Sequence, residues 1–321
     1  MKEKENILRC YRHLLPDHLP DLSQGHQMIL PAGFNEVPPY EQGGLDWFGV
    51  LWRTETPAAI PDPMAPRVLT DISKWREQVK FPDLDLWDWD NAVIVDKVDV
   101  FDRENKLMEV LIKEGPFERI HALMGMQEAL TALLTDQEEF IALASAITDF
   151  KCQLINKVAQ YYKPDIINFH DDYGTQKSMM LSPVLWRRIF KPLIQKVVAV
   201  CHSHGIFFDL HSCGLIEPII PELAEIGVDC LNCMPINDIP KMKELTSDKL
   251  TFFVGFDVQK YELCDRTGQL TGDIRNEIRE TIAAWGKNGN YLPSNRLSEW
   301  WVSKVIAEEL ENMRWTMYPA L

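Results

Sequence analysis

The sequence has no run of about 18 apolar residues, and so no segment long enough to cross a membrane as a helix. Its first ten residues, MKEKENILRC, lack the apolar stretch of a secretory signal. Bases are also scarce, since 33 lysines and arginines stand against 48 acids, a net charge of −15. A chain of that charge repels a phosphate backbone. We therefore expect a cytoplasmic protein that binds neither membrane nor nucleic acid.

The cysteines are not arranged as a disulfide scaffold requires. Seven of them, an odd number, are spread over 321 residues, whereas disulfide scaffolds are short secreted chains with paired cysteines. We therefore expect free thiols in a reducing compartment. With 46% hydrophobic and 25% charged residues, the chain has the composition of an ordinary globular protein. Its length suits either two small domains or one α/β barrel.

Two regions of the chain differ in pattern. Residues 1–90 are rich in Pro, Asp and Trp with few periodic runs, which predicts an irregular segment that wraps a barrel. Over residues 91–321, strand-like apolar runs alternate with helical ones; for example, Ser182 and Pro183 predict a helix start, and Gly205 its end. This alternation predicts a parallel sheet covered by helices, within one domain overall.

The predicted strand at 206–213 carries polar side chains on one face. Because side chains alternate along a strand, Asp209, His211 and Cys213 face the barrel interior. Barrel enzymes place their chemistry at the C-terminal ends of the strands. The His211 imidazole and the Cys213 thiolate are both good Zn²⁺ ligands. The alternative is a hydrogen-bonded core histidine beside a buried cysteine.

A third metal ligand must come from a neighbouring strand. Cys230 and Cys233 are three residues apart, so they face opposite sides of a strand. Cys233 lies nearer the end of its strand and is the predicted ligand, whereas Cys230 packs as a small apolar group. Asp172 is the alternative third ligand.

Two further strand ends carry acids. In the strand at 165–172, Asn168, His170 and Asp172 face the interior, which makes Asp172 a candidate acid or base. The alternative is that one acid of this strand holds a loop backbone. Asp257 ends another predicted strand at the interior rim. Trp52, in the N-terminal region, either lines the pocket or packs in the core.

Several phrases of the sequence resemble methyltransferase-like members of the uroporphyrinogen decarboxylase superfamily. They follow the family's order and together span most of the chain. The phrase FHDDYGTQKSMMLSP at 169–183 is similar to the family's DD-x-G-T-Q…SP, and HSCG at 211–214 matches its H-x-C-G. The phrase VGFDVQ at 254–259 looks like the family's GG-x-D-x-Q. Two earlier phrases, LDWFGVLWR at 45–53 and PDLD at 82–85, resemble its N-terminal phrases.

The resemblance implies a distorted (β/α)8 TIM barrel, with the irregular N-terminal extension, and methyltransferase chemistry. In such relatives the H-x-C pair and a later cysteine hold Zn²⁺, and methyl passes to or from the cobalt of cobalamin carried by a separate corrinoid protein. His211 and Cys213 match the first two positions, but Ser294 stands where the later cysteine falls. Either Cys233 or a carboxylate then replaces the missing thiolate, or the site binds no zinc.

The resemblance and the strand pattern together give each residue a predicted role. Asp172, His211 and Asp257 are the predicted catalytic residues, and His211, Cys213 and Cys233 the predicted metal ligands. The residues predicted to contact the substrate are Asn168, His170, Tyr173, Gln176 and Trp52.

True decarboxylases of the superfamily carry an R-Q-A-G-R phrase near the N-terminus that binds substrate carboxylates, and the sequence has nothing similar. We therefore predict a methyltransferase that works with a corrinoid protein and demethylates a small compound, by O-demethylation of an aryl methyl ether or from a methylamine. Two alternatives stay open: a decarboxylase of a smaller substrate, and a non-catalytic barrel that binds a ligand.

Overall fold

The computed structural model describes residues 1–34, 36–39, 41–55, 58–257, 260–261, 271–294 and 300–318. Its strands are β1 (His26–Ile29), β2 (Gly44–Leu45), β3 (Leu51–Glu55), β4 (Ala58–Pro61), β5 (Leu107–Ile112), β6 (Ile166–His170), β7 (Phe207–Ser212), β8 (Cys230–Cys233), β9 (Thr251–Gly255) and β10 (Tyr291–Ser294). Its helices are α1 (Glu3–Tyr11), α2 (Leu22–Gly25), α3 (Trp75–Gln78), α4 (Trp89–Val95), α5 (Pro116–Met124), α6 (Met126–Thr135), α7 (Gln137–Tyr161), α8 (Pro183–Ser203), α9 (Ile220–Glu225), α10 (Ile239–Thr246), α11 (Thr271–Gly286) and α12 (Trp300–Met313). Among these described helices, none is both long and apolar enough to cross a membrane.

Seven of the strands form a curled parallel sheet in the order β1-β5-β6-β7-β8-β9-β10. Helices lie between consecutive strands in the chain, as parallel connections require. This arrangement confirms the predicted α/β class and TIM-barrel architecture. The described residues show seven strands of the barrel sheet rather than the eight expected. β2, β3 and β4 form a separate antiparallel sheet.

The N-terminal region differs from the prediction, because it contributes a strand to the barrel. β1, with the sequence HQMI, pairs in parallel with β5, so that Met28 lies opposite Glu109. The boundary expected at residue 90 therefore does not separate the barrel from an irregular extension. A four-residue strand between prolines at positions 20 and 31 is too short to show an alternating pattern, which explains why the sequence did not indicate it.

The helix after β6 begins and ends where its sequence predicts. The Ser182 Oγ accepts a hydrogen bond from the Leu185 N–H at 3.2 Å, and Pro183 is the first helical residue. The chain turns after the helix at Gly205, whose φ is +70°, a conformation that favours glycine. This helix, α8, connects β6 to β7 and sets the two strands side by side.

A buried network of charges ties the N-terminal segment to the barrel helices. Arg119 of α5 donates to Asp46 and, at 2.8 Å, to Glu36, and its side chain is 0% exposed. Lys151 of α7 also binds Glu36. The Trp52 Nε1 donates to the Asp46 Oδ2 at 2.9 Å, and the ring is buried in the main hydrophobic core. Of the two roles considered for Trp52, the structure therefore favours core packing.

A cavity of about 710 Å³ lies between β1 and β10, the two end strands of the sheet order. It is lined by Met28 of β1, by Ser294 of β10, by Leu310 of α12 and by Arg314 just after that helix. No pairing joins these two strands within the described ranges. The barrel wall is therefore interrupted at this seam.

We expect Arg119→Met to destabilise the fold by about 3–5 kcal/mol, since it leaves two buried carboxylates without their guanidinium. The matched control is Arg76→Met, because Arg76 pairs with Glu139 at the surface and should contribute less than about 1 kcal/mol. Urea unfolding followed by circular dichroism measures both. Equal losses for the two variants would contradict a stabilising role for the buried network.

Candidate functional site

The C-terminal ends of β6 and β7 bring two histidines together. His170 and His211 are register partners of these neighbouring strands. Their rings stack at a centroid distance of 4.0 Å with 15° between their planes. Because in-register residues of a parallel pair share a face, both imidazoles lie at the interior mouth of the barrel.

Asp172 and Cys213 complete the cluster. The Asp172 Oδ1 accepts a hydrogen bond from the Cys213 backbone N–H at 2.7 Å and lies 3.7 Å from the His211 Nε2. The same His211 nitrogen is 3.3 Å from the Cys213 Sγ. One ligand atom each of His170, Asp172 and His211 lie within 4.8 Å of one another, close enough to hold a metal ion. The structure thus brings together four residues that the sequence singled out.

The neighbouring Asp171 has a structural role. Its carboxylate accepts the Phe117 and Glu118 backbone N–H groups at 3.3 and 2.9 Å, at the N-terminus of α5. This orients the Glu118 side chain, whose Oε2 lies 3.1 Å from the His170 Nδ1. Asp171 therefore holds a backbone, which is the alternative role considered for one acid of this strand end. Asp172 stays within reach of the histidines.

The titration of these groups reflects their burial. Burial, together with the adjacent His170, lowers the pKa of His211 to about 4, and burial lowers the pKa of His170 as well. Both rings are therefore neutral at pH 7 and able to coordinate a cation. Burial and the nearby Glu118 raise the pKa of Glu114 to about 8. Burial and Asp172 raise the pKa of the Glu118 carboxyl and of the Cys213 thiol.

Sequence reasoning missed Glu114 and Glu118. A signal was present, because KEGPFERIH directly follows the strand β5 and so falls at the same mouth as the ends of β6 and β7. The same phrase contains His121, and burial lowers the pKa of this histidine to about 4.

Residues 107–257 match the model of the family described as uroporphyrinogen decarboxylase (URO-D). The matched segment is 151 of the 321 residues, a little under half of the chain, and over that segment the chain is similar to this family. The matched segment contains β5 to β9 and therefore the whole histidine cluster. The predicted family resemblance is confirmed at this level. None of the curated proteins matches the sequence.

Solved structures agree with the fold. A "methyltransferase from Methanosarcina mazei" superposes with a TM-score of 0.69 at 12% identity, over 97% of this chain and 99% of that one. At such an identity the likeness shows the fold alone. A xylose isomerase-like TIM barrel protein from Mycobacterium smegmatis, in complex with magnesium, reaches a TM-score of 0.31 at 12% identity over 68% of this chain and 79% of that one, too low to support an argument.

The predicted ligand Cys233 points away from the barrel interior. It is the register partner of Ser212, not of His211, whose partner is Asn232. The Ser212 Oγ accepts the Tyr173 N–H at 3.0 Å on the outer side of the sheet, and Cys233 packs in the core beneath the helices. Cys230 is the one that faces inward. The prediction chose the wrong phase of the strand, because its length and ends were not known.

Tyr173 is also placed away from the mouth, contrary to its predicted contact with substrate. Its side chain is fully buried, and its hydroxyl donates to the Asp171 Oδ2 at 2.5 Å. It packs near Phe117 and Trp186 between the sheet and α8. Because β6 ends at His170, the alternation of the strand no longer fixes the side chains that follow.

The remaining predicted residues are spread around the barrel. Asn168 lies one layer below His170 and donates to the Glu109 Oε1 at 2.7 Å, so it belongs to the barrel floor. Gln176 is exposed on the loop before α8. Asp257 is exposed after β9, and its Oδ1 accepts the Lys260 N–H at 3.2 Å, as a residue that caps a helical turn does. Residues 258–259 of the VGFDVQ phrase lie outside the described part of the chain.

We expect His121 to make stability pH-dependent. The unfolded histidine binds a proton near pH 6.5, whereas the folded protein resists protonation down to about pH 4. The contribution is therefore complete above pH 6.5 and is lost as pH falls through this window, by about 1–2 kcal/mol near pH 5. His121→Gln should flatten the dependence of unfolding free energy on pH, and His204→Gln, at the surface, should leave it unchanged. A parallel profile for wild type and His121→Gln would refute this.

Proposed function

We propose that the chain is a methyltransferase that moves methyl from a small methylated compound to the cobalt of cobalamin on a partner corrinoid protein. The observation that carries the proposal is the cluster of His170, Asp172, His211 and Cys213 at the C-terminal mouth of a URO-D barrel. The protein of similar fold from Methanosarcina mazei is named a methyltransferase, which is the same type of activity.

The cluster fits a zinc ion. It offers two imidazoles that are neutral at pH 7, one carboxylate and one thiol, which are the donor types zinc takes in proteins. His170 keeps its Nδ1 on a carboxylate, as metal-binding histidines do. Zinc at this place would act as a Lewis acid on the leaving group of the substrate.

The protein groups around the cluster suit demethylation. When methyl moves from an aryl ether to cobalt(I), the electron pair of the broken C–O bond stays on oxygen, and a proton donor stabilises the phenolate that leaves. A protonated methylamine instead leaves as a neutral amine and needs no added proton. Glu114, whose pKa is raised to about 8, holds a proton near neutral pH, and Glu118 lies beside His170. Asp172 fixes the backbone of Cys213 and so the position of its thiol.

Decarboxylation of uroporphyrinogen itself is poorly supported by the site. A multiply anionic porphyrinogen requires convergent cations. Arg119 and Lys151 are the cations whose charges lower the pKa of Glu118. Both are buried and are already paired with Glu36 and Asp46. The mouth itself carries acids. We therefore expect no conversion of uroporphyrinogen, and formation of coproporphyrinogen by the purified protein would overturn this expectation.

We expect about one zinc per chain in protein purified without chelator, and its loss in His211→Ala, since that change removes a central donor. Cys233→Ala and the surface variant His204→Ala should keep the metal. The activity test is methylation of cob(I)alamin by aryl methyl ethers or methylamines, followed by absorbance. The proposal would be contradicted if freshly purified protein contained no zinc. It would also be contradicted if neither aryl methyl ethers nor methylamines methylated cob(I)alamin.

A further inference from the structure

The metal ligands predicted from the sequence leave one position unfilled, because Cys233 faces the outer helices. Another side chain must replace it if three protein donors are to bind an ion at the mouth. The structure offers His170, whose register pairing with His211 sets the two rings 4.0 Å apart.

We infer that the metal site is a two-histidine, one-carboxylate set made by His170, His211 and Asp172, with Cys213 outside the ligand set. The ligand atoms of these three lie within 4.8 Å of one another. Such a set binds divalent iron, cobalt or zinc through nitrogen and oxygen, and it leaves positions open for substrate. The inference refines the metal centre of the proposed function and rests on it only for the choice of site.

Glu118 is the positioning residue of this set. Its Oε2 lies 3.1 Å from the His170 Nδ1, which leaves the Nε2 for the ion. Glu118 is itself held, because its backbone N–H donates to the Asp171 Oδ1 at 2.9 Å. The His170 backbone is fixed as well, since its carbonyl oxygen accepts the Gly115 N–H at 2.7 Å. His170 is thus oriented from both its ring and its backbone.

Cys213 has a different part. Its Sγ lies 3.3 Å from the His211 Nε2, and its N–H is bound to Asp172. It contacts two members of the set, but it is not among the residues whose ligand atoms all lie within 4.8 Å of one another, which are His170, Asp172 and His211. A site of this kind should keep its metal without the thiol.

Cobalt(II) added to the metal-free full-length protein tests the ligand set directly, because a thiolate ligand produces a sulfur-to-cobalt charge-transfer band in the near ultraviolet. We expect wild-type protein to bind Co²⁺ with no such band. Cys213→Ser should change the affinity less than about 3-fold. His170→Ala should lower it at least about 100-fold, and Glu118→Gln about 10–100-fold, the usual range for a ligand-orienting carboxylate.

Titration by calorimetry gives the affinities, with His204→Ala as the control and thermal melts to show that each variant folds. A charge-transfer band in wild type that disappears in Cys213→Ser would overturn the inference, as would wild-type protein that binds no Co²⁺. The wild-type spectrum decides the matter even if a variant fails to fold. If Co²⁺ binds as expected but no methyl reaches cobalamin, the ligand set stands and the proposed function fails.

Discussion

The arrangement of the site depends on the register between β6 and β7. Pairing of His170 with His211 across these strands puts two imidazoles, and then Asp172 and Cys213 just beyond the strand ends, at one point of the barrel mouth. A slip of one residue in either strand would turn its histidine into the helical layer. The buried residues flanking the histidines, Phe169 and Leu210, oppose that slip because they must stay in the core.

A second constraint comes from the segment before residue 62, which the buried charges hold in place. Glu36 and Asp46 are engaged by Arg119 of α5, the helix that also presents Glu118 to His170. The position of the N-terminal segment and the orientation of a site histidine therefore depend on the same short helix. Burying charges is costly unless they are paired, so a shift of this helix away from the segment would leave buried carboxylates unpaired.

The sequence predicted the fold class and four members of the cluster, and particular residues show why. The predicted strand at 206–213 has a clear alternation, and HDD, which begins at the last residue of β6, lies at a strand end whatever the exact bounds of the strand. The sequence failed where phase depended on the bounds of a short strand, as for Cys233, or where the chain left a strand, as for Tyr173. β1 is short and has no periodic signal, and the role of Trp52 depended on Asp46, a partner that only the fold brings to its ring.

The seam between β1 and β10 leaves the barrel sheet open on one side, like a ring with a gap. In the described residues these strands end the sheet order without pairing, whereas β6 and β7 are third and fourth of the seven. A split ring can widen at its gap without breaking a backbone hydrogen bond, and the point opposite the gap moves least. The histidines sit near that point, so the spacing of the two imidazoles depends little on the width of the seam.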